Sequence, residues 1–105
     1  MHGGWVYIMT NGAFGTLYVG ATSDLEKRVA QRKAGIYEGF TCRYRVTRLV
    51  YSERHDDIVS AIRREKAIKH WPRAWKVDLI MEQNPNWEDW AGGAWRLDAA
   101  ASWRS

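Results

Sequence analysis

Cysteine, proline and long apolar runs are all scarce in this chain of 105 residues. It has one cysteine, Cys42, and two prolines. A single thiol excludes an intramolecular disulfide and a cysteine-rich zinc site, and it fits a reducing compartment. No apolar run approaches the roughly 20 residues of a membrane-spanning helix, and the N-terminus has no signal-peptide pattern. We therefore expect a cytoplasmic protein, without a membrane partner, that is stabilised by packing.

Acidic residues are few in the first three quarters of the chain. The whole chain has 16 Lys and Arg against 12 Asp and Glu, a net charge of +4, and residues 1–80 hold 14 of the basic and 8 of the acidic residues. Eleven of the cations are arginine, whose planar guanidinium matches phosphate oxygens in two-point contacts. Composition leaves two interpretations open, a polyanionic partner such as nucleic acid and an ordinary solvated surface.

Three short runs of β-branched and aromatic residues predict strands. They lie at residues 5–9, 16–20 and 46–53, and the segment between the first two contains Asn11-Gly12, which favours a hairpin. Side chains alternate between the two faces of a strand, so Tyr7 points away from its strand neighbours and can share a face with Tyr18.

Three helices are expected from capping and proline signals. Ser23 and Glu26 have the spacing of a capping box, which predicts that a helix begins there and ends near Gly35. A second helix should run from residue 55 or 56 to about residue 71, and Pro72 should start a third that reaches residue 82. The order β-β-α-β-α-α is typical of an α+β fold with a small antiparallel sheet.

The second predicted helix has a carboxylate on its apolar face, where a charged residue is not expected. At 100° per residue, Glu65 falls in the middle of an apolar stripe that Ile58, Ala61, Ile62 and Ile68 form. Burying an unpaired carboxylate is costly, so three interpretations are open: a protonated acid, an ion pair, or a ligand of a metal ion at a cleft. The ion pair is the most common outcome for a buried acid.

Six segments of the chain, in order, resemble the GIY-YIG endonucleases, and in particular the small single-domain bacterial members related to the catalytic module of the UvrC repair nuclease. The resemblance covers about residues 5–90, and no single segment is specific by itself. The matching segments are Val6-Tyr7-Ile8, Tyr18-Val19-Gly20, residues 24–29 around Arg28, Gly39-Phe40-Thr41 with Arg43-Tyr44, residues 64–76 around Glu65, and Asn84-Pro85 with Trp87.

This resemblance implies a three-stranded antiparallel sheet flanked by helices and a phosphodiesterase site with one divalent cation, Mg²⁺ or Mn²⁺. It implies that Glu65 binds the metal, that Arg28 contacts phosphate, that Tyr7 and Tyr18 lie beside the attacked phosphorus, and that Asn84 helps to shape the site. Either tyrosine is a candidate for activating water. Residues 1–90 would form the nuclease-like domain and residues 91–105 a C-terminal extension.

One departure from the family concerns the helix that carries Arg28. Many members have a histidine one turn after this arginine, and this chain has Arg32 there. Arg32 is expected to bind phosphate or to stabilise a neighbouring phenolate. The residues expected to contact nucleic acid are Arg28, Arg32, Lys33, Arg43 and Tyr44.

The sequence therefore predicts a metal-dependent DNA endonuclease of the GIY-YIG type, monomeric and related to DNA repair nucleases. Two alternatives from other classes remain. One is a noncatalytic module that binds nucleic acid on the same scaffold, and the other is a protein-interaction domain that uses the tryptophan-rich C-terminus.

Overall fold

The computed structural model describes residues 3–34 and 45–91, and within them the elements follow the order β-β-α-β-α-α. The central strand β1 pairs antiparallel with both neighbours, and the sheet order is β2-β1-β3. The predicted α+β fold with a three-stranded antiparallel sheet is confirmed. The strands are β1 (Gly4–Thr10), β2 (Leu17–Thr22) and β3 (Arg48–His55), and the helices are α1 (Leu25–Lys33), α2 (Ile58–Lys69) and α3 (Arg73–Gln83).

The sheet separates two apolar clusters. On one face, Val6 and Ile8 pack with residues of α2 and α3, including Ala61, Ile68 and Ile80. On the other face, Tyr7 and Met9 pack with Leu25 and Val29 of α1. The alternation along β1 is the period-2 pattern expected of a strand that is buried on both sides.

The start of α1 differs from the prediction. Asp24, not Ser23, is the N-cap, and its carboxylate accepts a hydrogen bond of 3.1 Å from the Lys27 amide. The preceding turn decides between the two residues, because the Thr22 hydroxyl accepts from the Asp24 amide at 3.1 Å and holds Asp24 at the helix entrance. The capping-box prediction at Ser23 was therefore wrong by one residue.

The start of α2 also lies further along the chain than predicted. Asp57 is its N-cap and accepts a 2.8 Å hydrogen bond from the Ser60 amide, while His55 still belongs to β3. A side chain at Gly4 would place its Cβ 2.8 Å from the Cβ of Ala61, so α2 packs directly on the backbone of β1.

None of the helices within the described segments combines the length and the apolar character that crossing a membrane requires. The predicted C-terminal extension lies outside the described residues except for Ala91, which packs in the α1-side cluster.

Candidate active site

Two tyrosines lie together on the α1 side of the sheet, as the alternation predicts. Tyr7 of β1 is fully buried, and Tyr18 of β2 is partly exposed. Their ring centroids are 6.3 Å apart, with an angle of 44° between the ring planes. Neighbouring strands therefore bring two phenols to one place.

Gly20 makes room for this pair. It lies directly opposite Tyr7 in the β1–β2 register. A Cβ built at Gly20 would come closer than 3.0 Å to three atoms of the Tyr7 side chain, including the hydroxyl oxygen. The Tyr7 ring thus lies over the glycine backbone, and any side chain at this position displaces it.

Burial dominates the environment of the Tyr7 hydroxyl. Burial raises the pKa of Tyr7 above 10, and the positive charges of Arg32 and Arg28 only partly hold the rise back. Within the described residues the hydroxyl has no hydrogen bond of good geometry, since the nearby Arg32 guanidinium makes its bond to Tyr18 instead. Tyr7 is therefore a neutral phenol at pH 7, with hydrogen-bonding capacity to spare.

Arg32 holds Tyr18 in two ways. Its Nη2 donates a 2.9 Å hydrogen bond to the Tyr18 hydroxyl, and its Cζ lies 4.6 Å from the centroid of the Tyr18 ring. The second contact is a cation–π arrangement. Of the two roles expected for Arg32, the structure shows contact with the phenol.

Arg28 lies one turn earlier on α1, at the wall of a polar cavity of about 320 Å³. Its charge is one of those that act on the Tyr7 phenol. Arg28 therefore lines the cavity and also lies close enough to the Tyr7 phenol for its charge to act there. Its lining residues are Thr22, Ser23, Asp24, Lys27, Arg28 and Gln31.

Glu65 lies on the core-facing side of α2, with 13% of its side chain exposed. Its Oε2 forms a 2.5 Å ion pair with Nζ of Lys69, one turn later. The expected ion pair is confirmed, although the partner is a lysine. The apolar stripe is narrower than predicted, because Ile62 is 39% exposed.

The two halves of the predicted site lie on different faces of the sheet. The helix that carries Glu65 packs on the Val6 face, and the tyrosines lie on the opposite face with α1. β2 is an edge strand of the described sheet and contacts α2. A site that uses both Glu65 and Tyr18 therefore has to extend around the β2 edge.

A weakly held divalent cation fits the residues present. No group of three or more His, Cys, Asp and Glu side chains converges anywhere in residues 3–34 and 45–91. Glu65 offers a single carboxylate, which already attracts a cationic group. Mg²⁺ is commonly held by one or two carboxylates, with water and substrate phosphate completing its shell.

Asn84 is almost fully buried, and its side chain bonds to backbone. Its Nδ2 donates to the carbonyls of Val50 (3.0 Å) and Glu88 (2.9 Å), and its Oδ1 accepts from the Glu88 amide at 2.9 Å. These bonds join the turn after α3 to β3. The structure therefore gives Asn84 a positioning role in the fold.

The other residues predicted to contact nucleic acid are Lys33, Arg43 and Tyr44. Lys33 bonds to the carbonyl of Thr47 at 2.7 Å and pairs with Asp89 at 2.6 Å, so it ties α1 to two other segments. Arg43 and Tyr44 lie outside the described residues. Sequence reasoning missed Asp89, which also accepts from the Leu49 amide at 3.0 Å, because no local pattern marks a contact 40 residues away.

The fold places two tyrosines beside Arg32, with Tyr7 over a strand glycine, and the family to which the chain belongs is of the nuclease type. Residues 3–78 match the family model of the GIY-YIG catalytic domain, and the chain belongs to the GIY-YIG family. Members of this family generally use a divalent metal and act on nucleic acid.

The chain is similar to proteins of the UPF0213 group. It is 37% identical to one from Natronomonas pharaonis over 79 residues, which covers 75% of this chain and 92% of the relative. It is 39% identical to one from Syntrophus aciditrophicus over 71 residues, covering 67% and 80%.

A solved structure supports the fold. The solution NMR structure of a UPF0213 protein from Bacillus halodurans matches with a TM-score of 0.50 and 24% identity, covering 85% of this chain and 94% of that one. The names of these relatives state a family and no reaction, so the reaction is argued from the site.

Proposed function

We propose that this protein is a metal-dependent endonuclease that hydrolyses DNA phosphodiester bonds with the help of a tyrosine-oriented water. The observation that carries the proposal is the bond from Arg32 to Tyr18 beside the buried phenol of Tyr7. The two phenols and Arg32 lie together on the α1 side of the sheet, and Arg28, one turn earlier, lines a polar cavity. Positive charge at this place suits an anionic substrate. Membership of a nuclease family supports the same conclusion.

Tyr18 is the better candidate for orienting water. It is partly exposed, and the Arg32 N–H already occupies one lone pair of its oxygen. Because Tyr18 is partly exposed, substrate and water can reach it, and the bond from Arg32 fixes the position of its oxygen. Tyr7 is buried, its pKa is raised, and it stays protonated. We assign it as a hydrogen-bond donor to a phosphate oxygen.

The arginines supply the positive charge that the reaction needs. A phosphodiester repels a nucleophile by its own charge, and fixed cations offset that repulsion and the charge that develops on the leaving oxygen. Arg28 at the cavity wall contacts phosphate in this proposal, and Arg32 aligns Tyr18. Arg32 is too strong a base to release a proton at neutral pH, so it does not replace a histidine in proton transfer.

Glu65 would hold the divalent cation, Mg²⁺ or Mn²⁺, at the β2 edge. When bound, the cation supplies Lewis-acid stabilisation to a phosphate oxygen. Lys69 must move away from the Glu65 carboxylate for this to happen, and its half-exposed side chain is free to turn into solvent. Glu65 then contributes the ligand charge that the lysine had neutralised.

Plasmid nicking tests the proposal most directly. The protein with Mg²⁺ or Mn²⁺ should nick supercoiled plasmid, and EDTA should abolish the reaction. Glu65→Gln and Tyr18→Phe should each lower the nicking rate by about 100-fold or more, the scale of losing one transition-state contact. Glu82→Gln is the matched control, because Glu82 is an exposed carboxylate on α3. Wild-type nicking by Glu65→Gln contradicts the metal assignment.

One observation favours a second candidate, the noncatalytic nucleic-acid-binding module. The family histidine is replaced by Arg32, and Lys69 neutralises Glu65. A module of this kind binds DNA with an affinity that falls steeply as salt rises and leaves the plasmid intact. Binding and nicking measured on the same preparation therefore separate the two functions.

A further inference from the structure

A second feature of the molecule, outside the proposed active site, is an exposed aromatic surface at the junction of α2 and α3. Trp75 is 56% exposed, which is unusual for so large an apolar ring. Trp71 stands edge-on to it, with ring centroids 5.9 Å apart and an interplanar angle of 71°. The core of the domain does not require Trp75 in this position.

Trp71 is held in place by Arg64 and by the core, and Trp75 packs against it. The guanidinium of Arg64 lies 5.1 Å from the centroid of the Trp71 ring. Arg64 is itself fixed by Glu53 of β3, whose carboxylate accepts from its Nε at 2.9 Å. Trp71 also packs against the apolar cluster around Val6 and Ile8. The surface is therefore preformed, and little side-chain entropy is lost when a ligand stacks on it.

Basic residues outnumber acidic ones around Trp75, although the exposed Asp78 lies one turn after it on α3. Residues 69–76 contain Lys69, Arg73 and Lys76 and no acidic residue. Arg73 donates to the carbonyls of Phe14 (2.7 Å) and Gly15 (2.8 Å), and Lys76 donates to the carbonyl of Lys69 at 3.3 Å. Lys69 is paired with Glu65, whereas carbonyls position Arg73 and Lys76 without neutralising them. Their positive charge stays available to an anionic ligand.

We propose that this surface, formed by Trp71, Trp75, Arg73 and Lys76, binds single-stranded nucleic acid. An unpaired base stacks on Trp75, and the neighbouring phosphates lie against Arg73 and Lys76. Aromatic rings interleaved with cations bind single strands because every base has a π-face and every linkage a negative charge. A protein that docked on this face would need negative charge to match Arg73 and Lys76.

The inference rests on the proposed function for the nature of the ligand and adds a substrate class to it. A nuclease that carries this surface prefers DNA with unpaired bases, such as a flap, a bubble or a single-stranded end. The surface and the tyrosine site are made of different residues, so each is open to a separate test.

Binding measured without metal isolates the surface. Fluorescence anisotropy of a labelled 12-nucleotide oligothymidine, in EDTA, is compared with that of a duplex of the same length. We expect Trp75→Ala to weaken oligothymidine binding by about tenfold, the scale of one lost stacking contact, and Trp75→Phe to keep most of the affinity. Val59→Ala is the control, because Val59 is 54% exposed and lies in the first turn of α2, at the opposite end of that helix from Trp71.

A charge variant completes the test. Lys76→Gln should weaken binding uniformly across base sequences and reduce the salt dependence by about one phosphate contact. Lys66→Gln is its control, because Lys66 is an exposed lysine of α2 outside residues 69–76. Circular dichroism spectra of all variants should match the wild type, since the substituted side chains are solvent-exposed or at the surface.

Three outcomes overturn the inference: wild-type protein that does not bind oligothymidine, Trp75→Ala that binds it normally, or sedimentation showing a wild-type dimer that Trp75→Ala dissociates. The last would identify the surface as a contact between two copies. Failure of the proposed function looks different, because oligothymidine then still binds through Trp75 while plasmid is not nicked.

Discussion

Two polar clusters on opposite sides of the sheet contrast sharply in how their hydrogen bonds are satisfied. On β3, the Glu53 carboxylate accepts from the Tyr51 hydroxyl at 2.5 Å, from Arg64 at 2.9 Å, and lies 2.6 Å from the His55 ring. On the α1 side, the buried hydroxyl of Tyr7 has no such bond with the described residues. In the cluster on β3, each of these side chains has a hydrogen-bond partner. In the cluster on the α1 side, the Tyr7 hydroxyl can still form a hydrogen bond with a ligand.

The difference separates structural from functional polar groups. Burial by itself raises the pKa of Glu53, but the bonds from Tyr51, His55 and Arg64 outweigh it and leave the pKa below its usual value. The same bond and burial raise the pKa of Tyr51. The β3 cluster therefore stabilises the fold by holding α2 to the sheet. The tyrosine site leaves a buried donor unsatisfied, which is expected where a substrate completes the bonding.

The largest expected effect comes from filling the space over which Tyr7 lies. Gly20→Ala places a methyl group against the Tyr7 ring and should lower the nicking rate by about 100-fold, because displacement of a site residue by about 1 Å costs that much. The free energy of unfolding should fall by about 1–3 kcal/mol through overpacking. Gly12→Ala is the control, since its Cβ meets nothing within 4 Å. An unchanged rate for Gly20→Ala contradicts the importance of the Tyr7 position.

The next effect tests the β3 cluster. Glu53→Gln removes the charged acceptor of Arg64 and should lower the free energy of unfolding by about 2 kcal/mol, as measured by urea denaturation. Its nicking rate under native conditions should stay near the wild-type value, because the cluster lies away from the tyrosine site. A large loss of activity in the folded variant would show that the two clusters are coupled.

Removing one hydroxyl from each cluster sharpens the contrast. Tyr51→Phe takes a donor from Glu53 and should destabilise the protein by about 1 kcal/mol, whereas Tyr7→Phe removes an unsatisfied hydroxyl and should leave stability unchanged or slightly higher. Nicking should show the reverse order, with Tyr7→Phe the more impaired. Equal destabilisation by the two substitutions would mean that Tyr7 is satisfied in solution.

The pH dependence of stability gives the smallest effect. The folded pKa of Glu53 lies below its ordinary value of about 4.5, so its contribution is complete above pH 4.5 and is lost as pH falls through the folded pKa. The folded pKa values of Tyr7 and Tyr51 lie above 10, so their contribution is complete below pH 10 and declines as the unfolded phenols ionise. Thermal unfolding from pH 3 to pH 11 measures both limbs. Glu53→Gln should flatten the acid limb and weaken the Tyr51 share of the alkaline limb, while the Tyr7 share stays in place.

Local patterns were sufficient for the order of elements and for the faces of β1. Period-2 alternation placed Tyr7 opposite to Val6 and Ile8, and proline and glycine signals separated the helices. Helix ends were less accurate. The choice of Asp24 over Ser23 as N-cap depends on a bond from Thr22, which the spacing of capping residues does not encode.

The sequence pattern did not predict which side chains, distant in the chain, bond to one another. The helical period correctly placed Glu65 toward the core and left its partner open, and the structure supplies Lys69. The bond between Arg32 and Tyr18 and the network around Glu53 join different elements. Such contacts depend on strand register and rotamers, which are settled only when the elements pack.

The amino-acid sequence by itself determined the elements, their order, the alternation of Tyr7 with its neighbours along β1 and membership of a nuclease family, because these follow from local periodicity, turn chemistry and short motifs. Tertiary structure decided that Gly20 accommodates the Tyr7 ring, that Arg32 holds Tyr18, and that Glu65 lies on the far side of the sheet from both tyrosines. The physical reason is that a site is made by residues distant in the chain, and only packing brings them to hydrogen-bonding distance.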